Sequence, residues 1–344
     1  GLLYSDMKAE DLLRMLETGE GDENTIVALL KEQGYEIDFV DESVSGEALY
    51  GAGDEGDLIA RADQEYELTR NSPTCILPDS TPAECLKTHG VAVLKNVMSP
   101  ETAFALRSMI LKARETTEQT LMTSGDADDA AEVYMSSVLA PKGSEGVRKR
   151  WDLKVPLCTE VKAGLKELFT SSLGDLLHEV FPDGEASILQ ELAAIISIPG
   201  APRQVLHSDT TYTDEAVLYT AFIALQNVTQ DMGPTTLLPG THSAEAHQLF
   251  DDAMQKDQLL RGTPHLQAPI HVGDAVIYDS RLLHCGGANE ERREGQLDRL
   301  DQRVLFYFSF SPRGGLEQSN NVASITSELQ GKYGLASLRR AVGC

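Results

Sequence analysis

No stretch of this 344-residue chain carries the roughly 18 to 20 consecutive apolar residues that a membrane-crossing helix needs. Its opening, GLLYSDMKAEDLL, has neither the basic region nor the apolar run of a secretory leader. The chain is expected to be soluble, and its compartment stays open. Cysteines are few: Cys75, Cys85, Cys158, Cys285 and Cys344 are odd in number, scattered and without a C-x-x-C pair. That pattern suggests neither a disulfide framework nor a zinc knuckle and favours a reducing compartment. Basic charge is also scarce, with 29 Lys and Arg against 54 Asp and Glu and a net charge of -25. Such a chain repels phosphate backbones, so nucleic acid is not an expected partner.

The negative charge that is present is unevenly spread. Residues 1 to 80 hold 20 acidic and 5 basic side chains, more than half of the whole excess. The same stretch alternates short amphipathic helix candidates (Ala9 to Leu16, Asn24 to Gln33) with Gly-rich breaks, and carries a Gly/Asp/Glu linker over 44 to 57. It reads as an acidic helical N-terminal extension over residues 1-80. One reading makes it a solvated cap on the edge of a main domain, the other a regulatory or partner-binding arm.

Residues 81-344 read as one α+β domain. GVAVLKNV (90 to 97) is a buried strand, and Ser99-Pro100 supply an N-cap and a first-turn proline for a helix running through Ala113. A second helix is expected from Leu165 to Val180, stopped by Pro182-Asp183-Gly184. Beyond residue 185 come short strands separated by Pro, Gly and Asp: ASILQELAAIIS, AVLYTAFIALQNV, TTLLPG, AVIYD and RVLFYFSFS. Their spacing suggests a sandwich or barrel.

Among eight histidines, His207-Ser208-Asp209 is the only H-x-D. On a strand, residues i and i+2 share a face, so this imidazole and this carboxylate can reach one ion. His284, 77 residues later in the Gly-rich turn LLHCGGAN, is the candidate third ligand. Two imidazoles and a carboxylate on one side of an ion, with other positions open, suit a non-haem Fe(II) oxygenase. Such an enzyme that uses an oxo-acid co-substrate also needs a cation for the acid's far carboxylate, preferably a guanidinium fork. Arg303 opens the apolar strand RVLFYFSFS, 19 residues past His284. Strand register points it inward, whereas Arg292, Arg293 and Arg299 sit in a polar loop. His242, in the P-G-T-H turn, reads as a turn residue, with Gly240 in the left-handed region.

Residues 88 to 311 resemble the phytanoyl-CoA dioxygenase family of 2-oxoglutarate oxygenases. HGVAVLKNVMSPE is similar to that family's opening strand and helix, HSD to its first two iron ligands, and ALQNVTQDMGPTTLLPGTH to its central strand pair. GDAVIYDSRLLHCGGAN is similar to the strand and turn presenting the distal histidine, and RVLFYFSF to the strand supplying the 2-oxoglutarate arginine. The resemblance implies a double-stranded β-helix (jelly-roll, cupin-like) core, with His207, Asp209 and His284 on Fe(II) and Arg303 on 2-oxoglutarate. It also implies that Thr220 is a co-substrate contact, at a strand position where relatives often carry a hydroxyl. Two features depart from the pattern: the segment before Arg303 is long and charged, and Leu305 stands where some relatives have serine.

The implied reaction consumes 2-oxoglutarate and O2, releases succinate and CO2, and hydroxylates a substrate by default, with desaturation or oxidative cyclisation as variants. Asp209 leaves no vacancy for a halide, which disfavours a halogenase. The cluster Arg148-Lys149-Arg150 with Lys154, around the single tryptophan Trp151, suggests a small-molecule substrate with an anionic group. Oligomeric state is not legible. The alternative is a cupin-type metal-binding barrel without oxygenase activity, and Arg303 distinguishes the two, since only an oxo-acid co-substrate calls for it.

Overall fold

The computed structural model describes residues 61, 64, 65, 80–124, 135–136, 149–268, 270–290, 302–312 and 324–344. The helix candidates at 9 to 16 and 24 to 33, the linker at 44 to 57, Arg148 and the loop arginines Arg292, Arg293 and Arg299 lie outside those residues.

Helix α1 (Pro82–His89) begins with a capping box in which the Thr81 hydroxyl accepts from the Glu84 N–H and the Glu84 carboxylate accepts from the Thr81 N–H. It leads into β1 (Val91–Leu94) and then α2 (Pro100–Ser124), which runs eleven residues past the expected end. Strands β2 (Met135–Ser136) and β3 (Arg150–Lys154) follow. The expected single helix at 165 to 180 is two, α3 (Thr159–Phe169) and α4 (Ser172–Val180). The break has a local cause: Ser171 takes an extended backbone and its hydroxyl accepts the Leu173 N–H, an N-cap that starts a new helix. Next come β4 (Ser187–Ser197), β5 (Tyr219–Ala224), β6 (Thr236–Leu237), α5 (Ala244–Asp251), α6 (Lys256–Gly262), β7 (Leu266–Gln267), β8 (Ala275–Asp279), β9 (His284–Cys285), β10 (Arg303–Pro312) and α7 (Leu335–Val342).

Seven strands form one antiparallel sheet in the order β1-β8-β5-β10-β4-β3-β2, and three form a second in the order β7-β6-β9. The mixed helix and antiparallel sheet content agrees with the α+β reading. The period of two sorts the large sheet's side chains between its faces. Val304, Phe306, Phe308 and Phe310 of β10 pack outward with Ile223 and Ile277 against Leu106, Leu165, Leu168 and Leu177 of the helices. Burying each such side chain stabilises by about 1.5–3 kcal/mol. On the other face, Tyr307, Phe222, Val276 and Tyr278 meet Leu237 and Leu282 of the small sheet's side. The inward set on β10 is therefore Arg303, Leu305, Tyr307 and Ser309, and the site lies between the sheets.

Two glycines fix the frame. Gly240 in the P-G-T-H turn has φ 88°. Gly273, at φ 79°, accepts the N–H groups of Val97 and Met98 at 2.8 and 3.2 Å, and a Cβ there would collide with the Met98 carbonyl oxygen. That contact ties the entry of β8 to the exit of β1.

A candidate metal and co-substrate site

His207 lies on an extended segment rather than within a long strand. It forms an isolated antiparallel bridge with His284, its N–H donating to the His284 carbonyl at 3.0 Å and the His284 N–H donating back at 2.8 Å. Two backbone bonds thus bring together histidines that are 77 positions apart. Each ring is then set by its own chain: Nδ1–H of His207 donates to Val205 O at 2.9 Å, and Nδ1–H of His284 donates to Leu282 O at 3.0 Å. A carbonyl oxygen can only accept, so both Nε2 atoms keep their lone pairs.

Both Nε2 atoms face Asp209. Its Oδ1 lies 3.8 Å from His207 Nε2 and 3.5 Å from His284 Nε2. One ligand atom from each of the three residues falls within 4.8 Å of the others. The second carboxylate oxygen, Oδ2, accepts the Tyr278 hydroxyl at 3.0 Å, whereas the two Nε2 contacts are to Oδ1. Burial, followed by the neighbouring His284, pushes the His207 imidazole down to about 4, so the ring is neutral at ordinary pH. Two imidazoles and one carboxylate oxygen at this spacing fit a hard-to-borderline divalent cation with open positions.

Arg303 is 1% exposed at the start of β10. Its Nη2 donates to Ser197 Oγ at 3.2 Å, while Nε and Nη1 have no hydrogen-bond partner. Arg150 lies beside it, with Nε on the same Ser197 Oγ at 3.0 Å and Nη2 on Gly287 O at 3.0 Å. Burial and then the mutual repulsion of the pair lower Arg303 to about 9. Burial is likewise the main cause that lowers Arg150, to about 10. Among the described residues no carboxylate pairs with either guanidinium. Two buried cations, one of them with two unpartnered nitrogens, make a built anion site, and they fit the far carboxylate of a dicarboxylate such as 2-oxoglutarate.

Arg150 was read from sequence as part of a basic cluster that suggests an anionic group on the substrate. Alternation on β3 turns Arg150, Asp152 and Lys154 to the interior. A strand assignment at RWDLK, the one available signal, separates these side chains from their neighbours.

Thr220 is buried in the interior but stands away from Arg303. It pairs with Tyr278 on one side and Ser309 on the other, six positions along β10 from Arg303, which is about 20 Å between Cα atoms. Register continues this level to Glu191, opposite Ser309, so Glu191, Ser309, Thr220 and Tyr278 form a polar row ending at Asp209. Ser309 Oγ donates to Glu191 at 2.7 Å. Burial, with smaller contributions from Asp209 and Asp152, pushes the Glu191 carboxyl up to about 8. Nearby, the Tyr307 hydroxyl donates to both Asp152 oxygens at 2.9 Å. The Asp152, Glu191 and Tyr278 contributions were not visible in the sequence, because nothing there fixes which strands are neighbours.

A family model described as phytanoyl-CoA dioxygenase (PhyH) matches residues 86–293, more than half of the chain. The chain belongs to the phytanoyl-CoA dioxygenase family. It is accordingly a non-haem iron dioxygenase that depends on 2-oxoglutarate and O2. The dioxygenase trt7 of Aspergillus terreus (strain NIH 2624 / FGSC A1156) is 24% identical over 228 residues, covering 60% of this chain and 67% of that protein. Among solved structures, AviO1 from Streptomyces viridochromogenes Tue57 shares 19% identity at a TM-score of 0.46, over 69% of this chain and 96% of that one. SnoN, a non-heme alpha ketoglutarate dependent epimerase from nogalamycin biosynthesis, shares 16% at a TM-score of 0.43, over 67% and 80%. No helix among the described residues is long and apolar enough to cross a membrane.

Proposed function

We propose that this family member oxidises a small metabolite carrying an anionic group, with hydroxylation as the default outcome and cyclisation or desaturation as variants. His207, Asp209 and His284 hold the Fe(II), Arg303 with Arg150 holds the far carboxylate of 2-oxoglutarate, and Thr220 serves the metal end of the co-substrate. The core that presents them is a double-stranded β-helix over residues 81-344, preceded by an acidic extension over 1-80. The observation that carries this reading is the convergence of three ligand atoms within 4.8 Å, together with a buried guanidinium with two unpartnered nitrogens.

When bound, the iron would supply activation of O2, which oxidises 2-oxoglutarate to succinate and CO2 and leaves a second oxidising equivalent for the substrate. The chain's own residues do the positioning. The two carbonyl-anchored imidazoles present Nε2 lone pairs, and Tyr278 holds Oδ2 of Asp209 so that Oδ1 faces them. Arg303 and Arg150 fix the direction in which the dicarboxylate lies, because a planar fork accepts it in one orientation. Glu191, largely protonated near neutrality, lines the far end of the polar row without adding a full negative charge, and Lys154 faces the same interior, so the cavity tolerates an anionic substrate.

The test is Fe(II)-dependent release of succinate from 2-oxoglutarate by wild type and by Asp209→Ala. The variant should lose it while keeping wild-type circular dichroism, since Asp209 serves the ion more than the core. Unchanged succinate release by Asp209→Ala contradicts the ligand assignment.

A further inference from the structure

Glu65 lies 21 positions before the stretch that matches the family model, yet it is 3% exposed. Its carboxylate rests against the segment that carries His207. Oε2 accepts the Leu206 N–H at 2.7 Å across 141 positions of chain. Oε1 accepts Lys256 Nζ at 2.5 Å and Arg61 Nε at 2.9 Å. The Lys256 ammonium also lies 4.3 Å from the centre of the Phe250 ring, so one carboxylate joins the segment before His207 to α5 and α6.

The position of that bond matters. Successive N–H groups along an extended chain point to opposite edges. The His207 N–H points to β9 and is used there by the His284 carbonyl. The Leu206 N–H therefore points off the other edge, where no strand of the small sheet continues among the described residues. An edge donor of that kind needs an acceptor from outside the sheet. Glu65 provides it one residue away from His207, and its own charge is balanced by Arg61 and Lys256.

We infer that Glu65 is a positioning residue for the metal site, supplied by the N-terminal extension, which fixes the edge segment bearing His207 and so makes metal affinity depend on the extension. This rests on the reading of His207 as a metal ligand. It makes at least this part of the extension a working piece of the oxygenase rather than a separate arm.

The experiment is anaerobic Co(II) titration of the full chain, followed by visible absorption, for wild type, Glu65→Ala, Glu65→Gln, Lys256→Met and His207→Ala, with Tm measured alongside. Partners that orient metal ligands commonly contribute 10- to 100-fold in metal affinity. Glu65→Ala should raise the Co(II) Kd by about that factor. Glu65→Gln, which keeps an oxygen for the Leu206 N–H, should lose less, and Lys256→Met less still. A purely structural role lowers Tm in Glu65→Ala and leaves the Kd unmoved, and that result overturns the inference. His207→Ala separates the two readings: if it binds Co(II) like wild type, the metal-site reading itself fails, whereas its loss beside an unchanged Glu65→Ala overturns the positioning role alone. Should Glu65→Ala not fold, Glu65→Gln and hydrogen exchange at the Leu206 amide carry the test, with unchanged Kd and unchanged protection overturning the inference.

Discussion

The two guanidiniums illustrate what a single side chain contributes at this site. Arg303 and Arg150 are buried, repel each other and share one serine hydroxyl, an arrangement that costs stability until an anion arrives. Arg303→Lys keeps the charge and loses the bidentate fork. A charge-assisted pair contributes about 1.5–3 kcal/mol, so the 2-oxoglutarate Kd should rise roughly 10- to 150-fold by anaerobic titration while Fe(II) affinity stays near wild type. A wild-type Kd in Arg303→Lys contradicts this assignment. Glu191 gives a pH signature. Its folded carboxyl titrates at about 8 against a usual value of 4.5, so between these pH values the folded state binds more protons than the unfolded chain. Stability due to this group is therefore greatest below pH 4.5 and declines as pH rises toward 8. Glu191→Gln should remove that decline: its urea midpoint relative to wild type should increase from pH 5 to pH 8, and a constant difference contradicts the buried, protonated carboxyl.

At the scale of elements, register decides which residues meet. The H-x-D spacing and the inward phase of β10 were legible in the chain, because a period of two needs only local sequence. Leu165 to Val180 was misread as one helix because the Ser171 cap lies within an apolar run that a 3.6-residue period spans without interruption. Helices α5 and α6, after the P-G-T-H turn, were not anticipated, nor was α7. The polar row from Glu191 to Tyr278 depends on the order β4-β10-β5-β8, which pairs residues up to 125 positions apart, Ser187 with Pro312. No local pattern contains that order. Gly273 locks one of these neighbours in place. Gly273→Ala has to hold φ 79° with a Cβ against the Met98 carbonyl oxygen, so it should cost about 1–3 kcal/mol, read as a lower urea midpoint. A variant as stable as wild type contradicts the role given to the β1–β8 junction.

For the whole molecule, the two sheets act as a frame that carries one charge pattern: a carboxylate between two imidazoles, and two guanidiniums further along the interior. The family match says which reaction class this frame serves, and the spacing of its charged groups gives the expected orientation of the co-substrate between them. Of the acidic residues in 1 to 80, Glu65 is the described one, and it reaches the small sheet's edge behind His207. The central claim is that Fe(II) at His207, Asp209 and His284 and 2-oxoglutarate at Arg303 occupy one site together. Anaerobic addition of 2-oxoglutarate to the Fe(II)-loaded protein measures this directly, through the metal-to-ligand charge-transfer absorption that arises only when the keto acid chelates the iron. Wild type should show the band at a stoichiometry of one per chain, His284→Ala should not, and Arg303→Lys should show it only at raised 2-oxoglutarate. A wild-type protein that binds Fe(II) yet gives no such band, or a His284→Ala protein that gives it undiminished, contradicts the account.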